Sequence, residues 1–147
     1  MSRRRAARVQ TAAILGGLAL ATAGAGCGRS DEQKIRDTLA TFQRATAAKN
    51  YAELCSKVLS KQLVDRLSAV GLPCEVALQR GLASVSSPRL TVQRVRVHGD
   101  AALAQVRTSA ANQAPSTDTI RLTRQGDDWR VATLSGQQPP RPKPGPD

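Results

Sequence analysis

Three cysteines, one histidine and one tyrosine carry most of the reactive chemistry in this chain. Cys27 directly follows the small residues Gly24-Ala25-Gly26, while Cys55 and Cys74 lie well inside the chain. A cysteine thiol can be acylated, oxidised to a disulfide, or bound to a metal as thiolate. Two cysteines with His98 leave a tetrahedral zinc site one ligand short, so no metal site is expected. His98 precedes Gly99-Asp100, a hairpin turn signal, which puts it on an exposed loop tip. Tyr51 falls on an apolar stripe, where a core tyrosine with a satisfied hydroxyl is the ordinary case. Its hydroxyl could still point into a cavity. The carboxylates Asp31, Glu32, Glu53, Asp100, Asp127 and Asp128 gather at expected caps and turns, and none is expected at an inward-facing strand position. No paired carboxylates, serine–histidine arrangement or glycine-rich phosphate loop is present. The sequence therefore predicts no catalytic residue and no cofactor.

What positions Cys27 is the segment before it. Arg3, Arg4, Arg5 and Arg8 open the chain, and an uncharged run of 18 residues follows, from Val9 to Gly26. These are the charged, apolar and small-residue parts of an export signal. A cysteine immediately after the small residues resembles the lipobox of bacterial lipoproteins. That resemblance implies acylation of Cys27, removal of residues 1–26, a short linker at 27–29, and tethering to the outer face of the cytoplasmic membrane. Gly24 departs from the pattern, which usually has an aliphatic residue there. Two alternatives stay open. The run just reaches the length of a spanning helix, and Ala19-Leu20-Ala21 or Ala23-Gly24-Ala25 would suit plain secretion. With Cys27 acylated, Cys55 and Cys74 form an even pair that can oxidise outside the cytoplasm. A bridge closing a loop of roughly 20 residues stabilises a fold by about 3 kcal/mol. Two buried free thiols are the alternative.

The mature chain, residues 27–147, is long enough for one domain. The stretch 136–147 holds five prolines and no large apolar side chain, so an extended, solvated tail is expected. The rest, 30–135, divides in two. Ser30 with Gln33 forms a capping signature, and Ile35, Leu39, Phe42 and Thr46 then mark a helical stripe to about Lys49. Asn50 with Glu53 opens a short helix carrying Tyr51, Leu54, Cys55 and Val58. Ser60 caps a third, with Leu63, Val64, Leu67 and Val70 as its stripe, ended by Gly71-Leu72-Pro73. A fourth runs from about Cys74 to Val85. From Pro88 the period becomes two. Leu90 and Val92 alternate, then Val95 and Val97 in the opposite phase, which predicts a bulge near Gln93-Arg94. Ala102, Ala104 and Val106 follow the Gly99-Asp100 turn. A loop is expected around Asn112–Ser116, then Ile120 and Leu122, a Gly126-Asp127-Asp128 turn, and Trp129 and Val131, with Thr133 as a further position of the same phase. These elements predict an α+β layer, with helices packed on a curved, four-stranded antiparallel meander.

The order of a helix of the type Ile-Arg-Asp-x-Leu-x-x-Phe, a short Tyr-Ala-x-Leu-Cys helix and a sheet ending in Ile120-Arg-Leu-Thr-Arg-Gln-Gly-Asp-Asp-Trp129-Arg-Val131 resembles the nuclear transport factor 2-like, or ketosteroid-isomerase-like, cone fold. It is similar, more narrowly, to small exported lipoproteins of high-GC Gram-positive bacteria carrying one such domain. The resemblance covers roughly residues 30–134. It implies a cavity between helices and sheet, assigned here to Phe42, Tyr51, Leu54 and Trp129, with a filled core at these residues as the alternative, and pairing of two copies through the sheet. Enzymes of the fold place an Asp or His base, often with a Tyr or Asp donor, inside the cone. With no such base expected, the sequence favours a non-catalytic binding domain for a small apolar ligand or a cell-envelope protein. An isomerase or cyclase built on Tyr51 and a further carboxylate is the alternative.

Net charge is +11, and loss of Arg3, Arg4, Arg5 and Arg8 leaves 18 basic against 11 acidic side chains, or +7. Export and the scarcity of stacking aromatics, only Phe42, Tyr51 and Trp129, argue against a nucleic-acid partner. With Val106, Ile120, Leu122, Trp129 and Val131 facing inward, Arg107, Arg121 and Arg130 should face outward together. Arg94 or Arg96 joins them depending on the bulge. An ordinary solvated face explains such a pattern, and an anion-docking face is the alternative.

Overall fold

The computed structural model describes residues 28–133. Cys27, the leader before it and the proline-rich 136–147 stretch lie outside the described residues. Helix α1 spans Asp31–Ala47, and α2, Tyr51–Glu53, runs directly into a π-helical stretch, Leu54–Val58. Helices α3 (Lys61–Ala69) and α4 (Cys74–Gly81) follow. Four strands then form an antiparallel sheet in the order β1-β2-β3-β4: Arg89–His98, Ala101–Ala110, Gln113–Gln125 and Asp128–Thr133.

The caps act where the sequence puts them. The side chains of Ser30, Asn50 and Ser60 accept hydrogen bonds from the backbone N–H groups of Gln33, Glu53 and Leu63. Each satisfies a donor that the first helical turn leaves without an intrahelical partner. Gly99 and Gly126 open the β1–β2 and β3–β4 turns at φ 57° and 61°, a region costly for other residues. The phase change in β1 is a bulge at Gln93, between Val92 and Arg94 in the pairing with β2. Leu90, Val92 and Val95 consequently pack on the core while Arg94 and Arg96 are exposed.

Helix α1 is tied to both edges of the sheet. Gln43 accepts from the Leu90 N–H at 3.0 Å and Arg36 donates to the Val92 carbonyl at 3.1 Å, both on β1. At the far edge, Thr38 donates to the Trp129 carbonyl of β4 at 2.9 Å. Edge groups of β1 that would otherwise face water are thus covered. Ile35 and Leu39 of α1, Leu54 and Val58 of the π stretch, Val106, Leu122, Trp129 and Val131 are essentially fully buried between the layers. Ser60 N–H donates to the Val131 carbonyl at 2.9 Å and ties the helical half to β4. Cys55 and Cys74 form a disulfide, with Cα atoms 6.1 Å apart, joining the π stretch to α4.

Three sequence expectations change. Val70 is 77 % exposed, because α3 ends at Ala69 and the chain turns away before it can pack. The loop expected around Asn112–Ser116 shrinks to a turn at Ala111-Asn112, and β3 starts at Gln113. Pro115 is accommodated because it lies at the register shift between β2 and β3, where Thr108 faces Ser116 and Ala110 faces Gln113, so the ladder is interrupted at that residue. On β4 a register shift brings Ala132 into the core and leaves Thr133 outside.

Candidate functional site

Extending β3 to Gln113 has a chemical consequence. Side chains of a strand alternate, so the inward phase of Leu122 and Ile120 continues to Asp118. A carboxylate therefore faces the helical side, against the expectation that none would. Asp118 lies opposite Val106 and sits with Ile120, Phe42 and Thr46 around a cavity of about 300 Å³. The C-terminal half of α1 supplies one wall. The segment after α4, with Leu82, Val85 and Pro88, supplies another, and the ends of β2 and β3 close the rest. Most of this lining is apolar, and Arg89 is exposed at the rim.

Two details hold the walls in place. Lys49, in the left-handed region at φ 55°, sends its Nζ to the carbonyls of Leu82 and Val85, at 2.8 and 2.6 Å. The Ala111 N–H donates to the Ser86 carbonyl at 2.8 Å, fastening the same segment to the β2–β3 turn.

Two polar residues stand out in the lining, Asp118 and Thr46. Asp118 Oδ2 accepts from Ser116 Oγ at 2.7 Å and from Thr108 Oγ1 at 3.4 Å, and those two hydroxyls are 2.9 Å apart. The other carboxylate oxygen has no hydrogen-bond partner among the described residues. Thr46 is 2 % exposed, and its Oγ1 is the buried side-chain polar atom without a partner among the described residues. Thr38 and Thr41, on the same helix, return their hydroxyls to the carbonyls of Lys34 and Asp37. Leaving a buried hydroxyl unpaired costs about 1–3 kcal/mol. A cavity with an apolar body and a few convergent polar groups is the usual form of a small-molecule site.

The residues assigned to the cavity from sequence are not brought together. Phe42 lines it. Leu54 and Trp129 are packed into the core, with 0 % and 1 % exposure, and Tyr51 packs half-buried against that core. Trp129 is held at the opposite end of α1, where its Nε1 donates to Asp31 Oδ1 at 3.1 Å. Arg124 grips the same carboxylate at 2.9 and 2.6 Å and stacks 4.7 Å above the indole. These hydrogen bonds, that of Arg124 first and of Trp129 second, hold the Asp31 carboxyl below its ordinary pKa. His98 is exposed at the end of β1.

The arginine face also differs from expectation. Arg107 and Arg121 are exposed on the outer side of the sheet, and Arg94 and Arg96 both join them because the bulge falls at Gln93. Arg130 does not join. On edge strand β4 it folds back to donate to the Ser56 carbonyl at 2.9 Å and pairs with Asp128 at 3.2 Å. Among the described residues no cluster of three metal-ligating side chains occurs, and no helix is long and apolar enough to cross a membrane.

No family model and no curated protein sequence matches this chain. Solved structures do. An NTF2-like protein of unknown function from Shewanella baltica superposes with a TM-score of 0.51 at 15 % identity, covering 71 % of this chain and 93 % of that one. A de novo designed NTF2 fold protein, NT-9, gives 0.46 at 14 % identity, covering 72 % and 87 %. The fold is thus NTF2-like, an α+β cone of helices on a curved antiparallel sheet.

Proposed function

We propose that this NTF2-like chain is a bacterial lipoprotein, tethered outside the cytoplasmic membrane through acylated Cys27, whose domain binds a small ligand without transforming it. The basic, apolar and small-residue succession ending at Cys27 supports the tether. One observation carries the binding role: a cavity of about 300 Å³, walled by Phe42, Leu82, Leu90 and Ile120, presents the open oxygen of Asp118, and Thr46 in its wall keeps a buried hydroxyl without a partner. Those groups fit a compact apolar body with a hydrogen-bond-donating or cationic end. A carboxylate ligand would meet Asp118 with like charge and leave it uncompensated.

Equilibrium dialysis with cyclohexylmethylamine, cyclohexylmethanol and cyclohexanecarboxylate tests this. Amine and alcohol should bind better than the acid, and Asp118→Asn should remove the advantage of the amine. Preference for the acid would show that rim Arg89 governs the site and would overturn the assignment.

Asp118 also supports a second reading, an isomerase or cyclase using that carboxylate as base. The fold's enzymes add a Tyr or Asp donor, whereas the described lining has neither a Tyr nor a second carboxylate beside Asp118, its donors being amide and hydroxyl side chains and rim Arg89. Exchange of solvent deuterium into cyclohexanone, lost in Asp118→Asn, would favour this reading over simple binding.

A further inference from the structure

We propose that the outer face of the sheet docks onto anionic phospholipid. Strand pairing builds the face row by row. Arg96, Leu103 and Arg121 lie side by side across β1, β2 and β3. Arg94, Gln105 and Thr119 form the next row. Thr91, Arg107 and Thr117 form a third. At about 4.8 Å between strands, the four guanidiniums occupy a field roughly 10 Å wide. None of the four is paired with a carboxylate among the described residues, and none of the positions in these rows is acidic. The acidic side chains nearest in sequence are engaged elsewhere: Asp118 faces the cavity and Asp100 pairs with Arg124 at 3.2 Å.

Charge complementarity selects the occupant. Four unpaired arginines present the planar donors that match phosphate oxygens. Leu103, 39 % exposed, stands between Arg96 and Arg121, and a shallow groove of about 350 Å³ runs beside it through Arg94 and Gln105. An apolar side chain ringed by arginines suits the headgroup boundary of a membrane. A second copy fits poorly, since a two-fold pairing through this face would oppose the same arginines. No aromatic side chain is present in these rows to stack a nucleic-acid base. The proposal stands on the face itself and needs no acyl group at Cys27.

Flotation of the full, unacylated chain with phosphatidylcholine vesicles, with and without phosphatidylglycerol, tests it at low and high salt. The quantity read is the binding that phosphatidylglycerol adds. It should disappear at high salt, and fall at least about tenfold when Arg94, Arg96, Arg107 and Arg121 are all changed to Gln. Changing Lys57, Lys61, Arg66 and Arg80 to Gln, an equal charge loss on the helical side, should leave it nearly intact. The milder pair Arg96→Gln with Arg121→Gln should give an intermediate loss, and covers the case in which the fourfold variant folds poorly. Equal losses in the fourfold and control variants would reduce the effect to net charge and overturn the proposal. So would no gain from phosphatidylglycerol, or binding of soluble polyphosphate as tight as that of vesicles at equal phosphate.

Discussion

Asp31, at the first position of α1, and Arg124, near the end of β3, meet in a two-point fork with distances of 2.6 and 2.9 Å. The same guanidinium lies over Trp129, whose indole N–H donates to the same carboxylate. One cluster therefore joins the start of the helix to the last hairpin, at the end of the cone away from the Asp118 cavity.

The cluster makes stability depend on pH in a definite direction. Because Arg124 and then Trp129 lower the folded-state pKa of Asp31 beneath its ordinary 3.8, the unfolded chain binds the proton first. The stabilisation is complete above the ordinary carboxylate value and is lost as pH falls through the lower folded value. Thermal melts should show Asp31→Asn less stable than the parent at neutral pH, with the difference closing only in strong acid. A difference constant from neutral to strongly acidic pH would remove the charge from this account.

The Cys55–Cys74 bridge spans 19 positions of sequence. Its loss in a Cys55→Ala, Cys74→Ala chain should lower unfolding free energy by about 3 kcal/mol, measured by urea titration. An unchanged midpoint would mean that burial alone holds the π stretch against α4.

Thr46→Val should raise stability by about 1 kcal/mol, because a near-isosteric methyl replaces a buried hydroxyl without a partner. Destabilisation would mean that the hydroxyl is already satisfied.

Lys49 holds the segment that walls the cavity. Lys49→Gly keeps the positive φ accessible and removes both hydrogen bonds to Leu82 and Val85. Amide exchange across residues 82–88 should quicken, and cyclohexylmethylamine should bind more weakly, with little change in the exchange of the β3 core. Unaltered exchange in this segment would show that the Ala111–Ser86 bond suffices.

Much of the fold was legible because apolar spacing reports which face is buried. The opposite phases of Val92 and Val95 located the bulge, and Ser30, Asn50 and Ser60 located three helix starts. The cavity was harder to read. Ile120 and Leu122 already fix the phase that turns Asp118 inward, but Pro115 and the polar run beside it carry the signals of a loop and mask that alternation. The place of Trp129 is hidden from the sequence for a different reason. Alternation shows that its side chain faces inward, not that Asp31 and Arg124 hold it in solid core. Arg130 shares the outward phase of Arg121, yet edge position lets it fold onto Ser56, a long-range contact that no local pattern contains.

The most direct test of the account is an amide-resolved NMR titration of the parent chain with cyclohexylmethylamine, repeated with Asp118→Asn. Saturable shifts confined to residues around Phe42, Thr46, Leu90 and Ile120, weakened in the variant, are the predicted result. Shifts clustered around Trp129 instead, or an identical response in the variant, would contradict a ligand site built on Asp118.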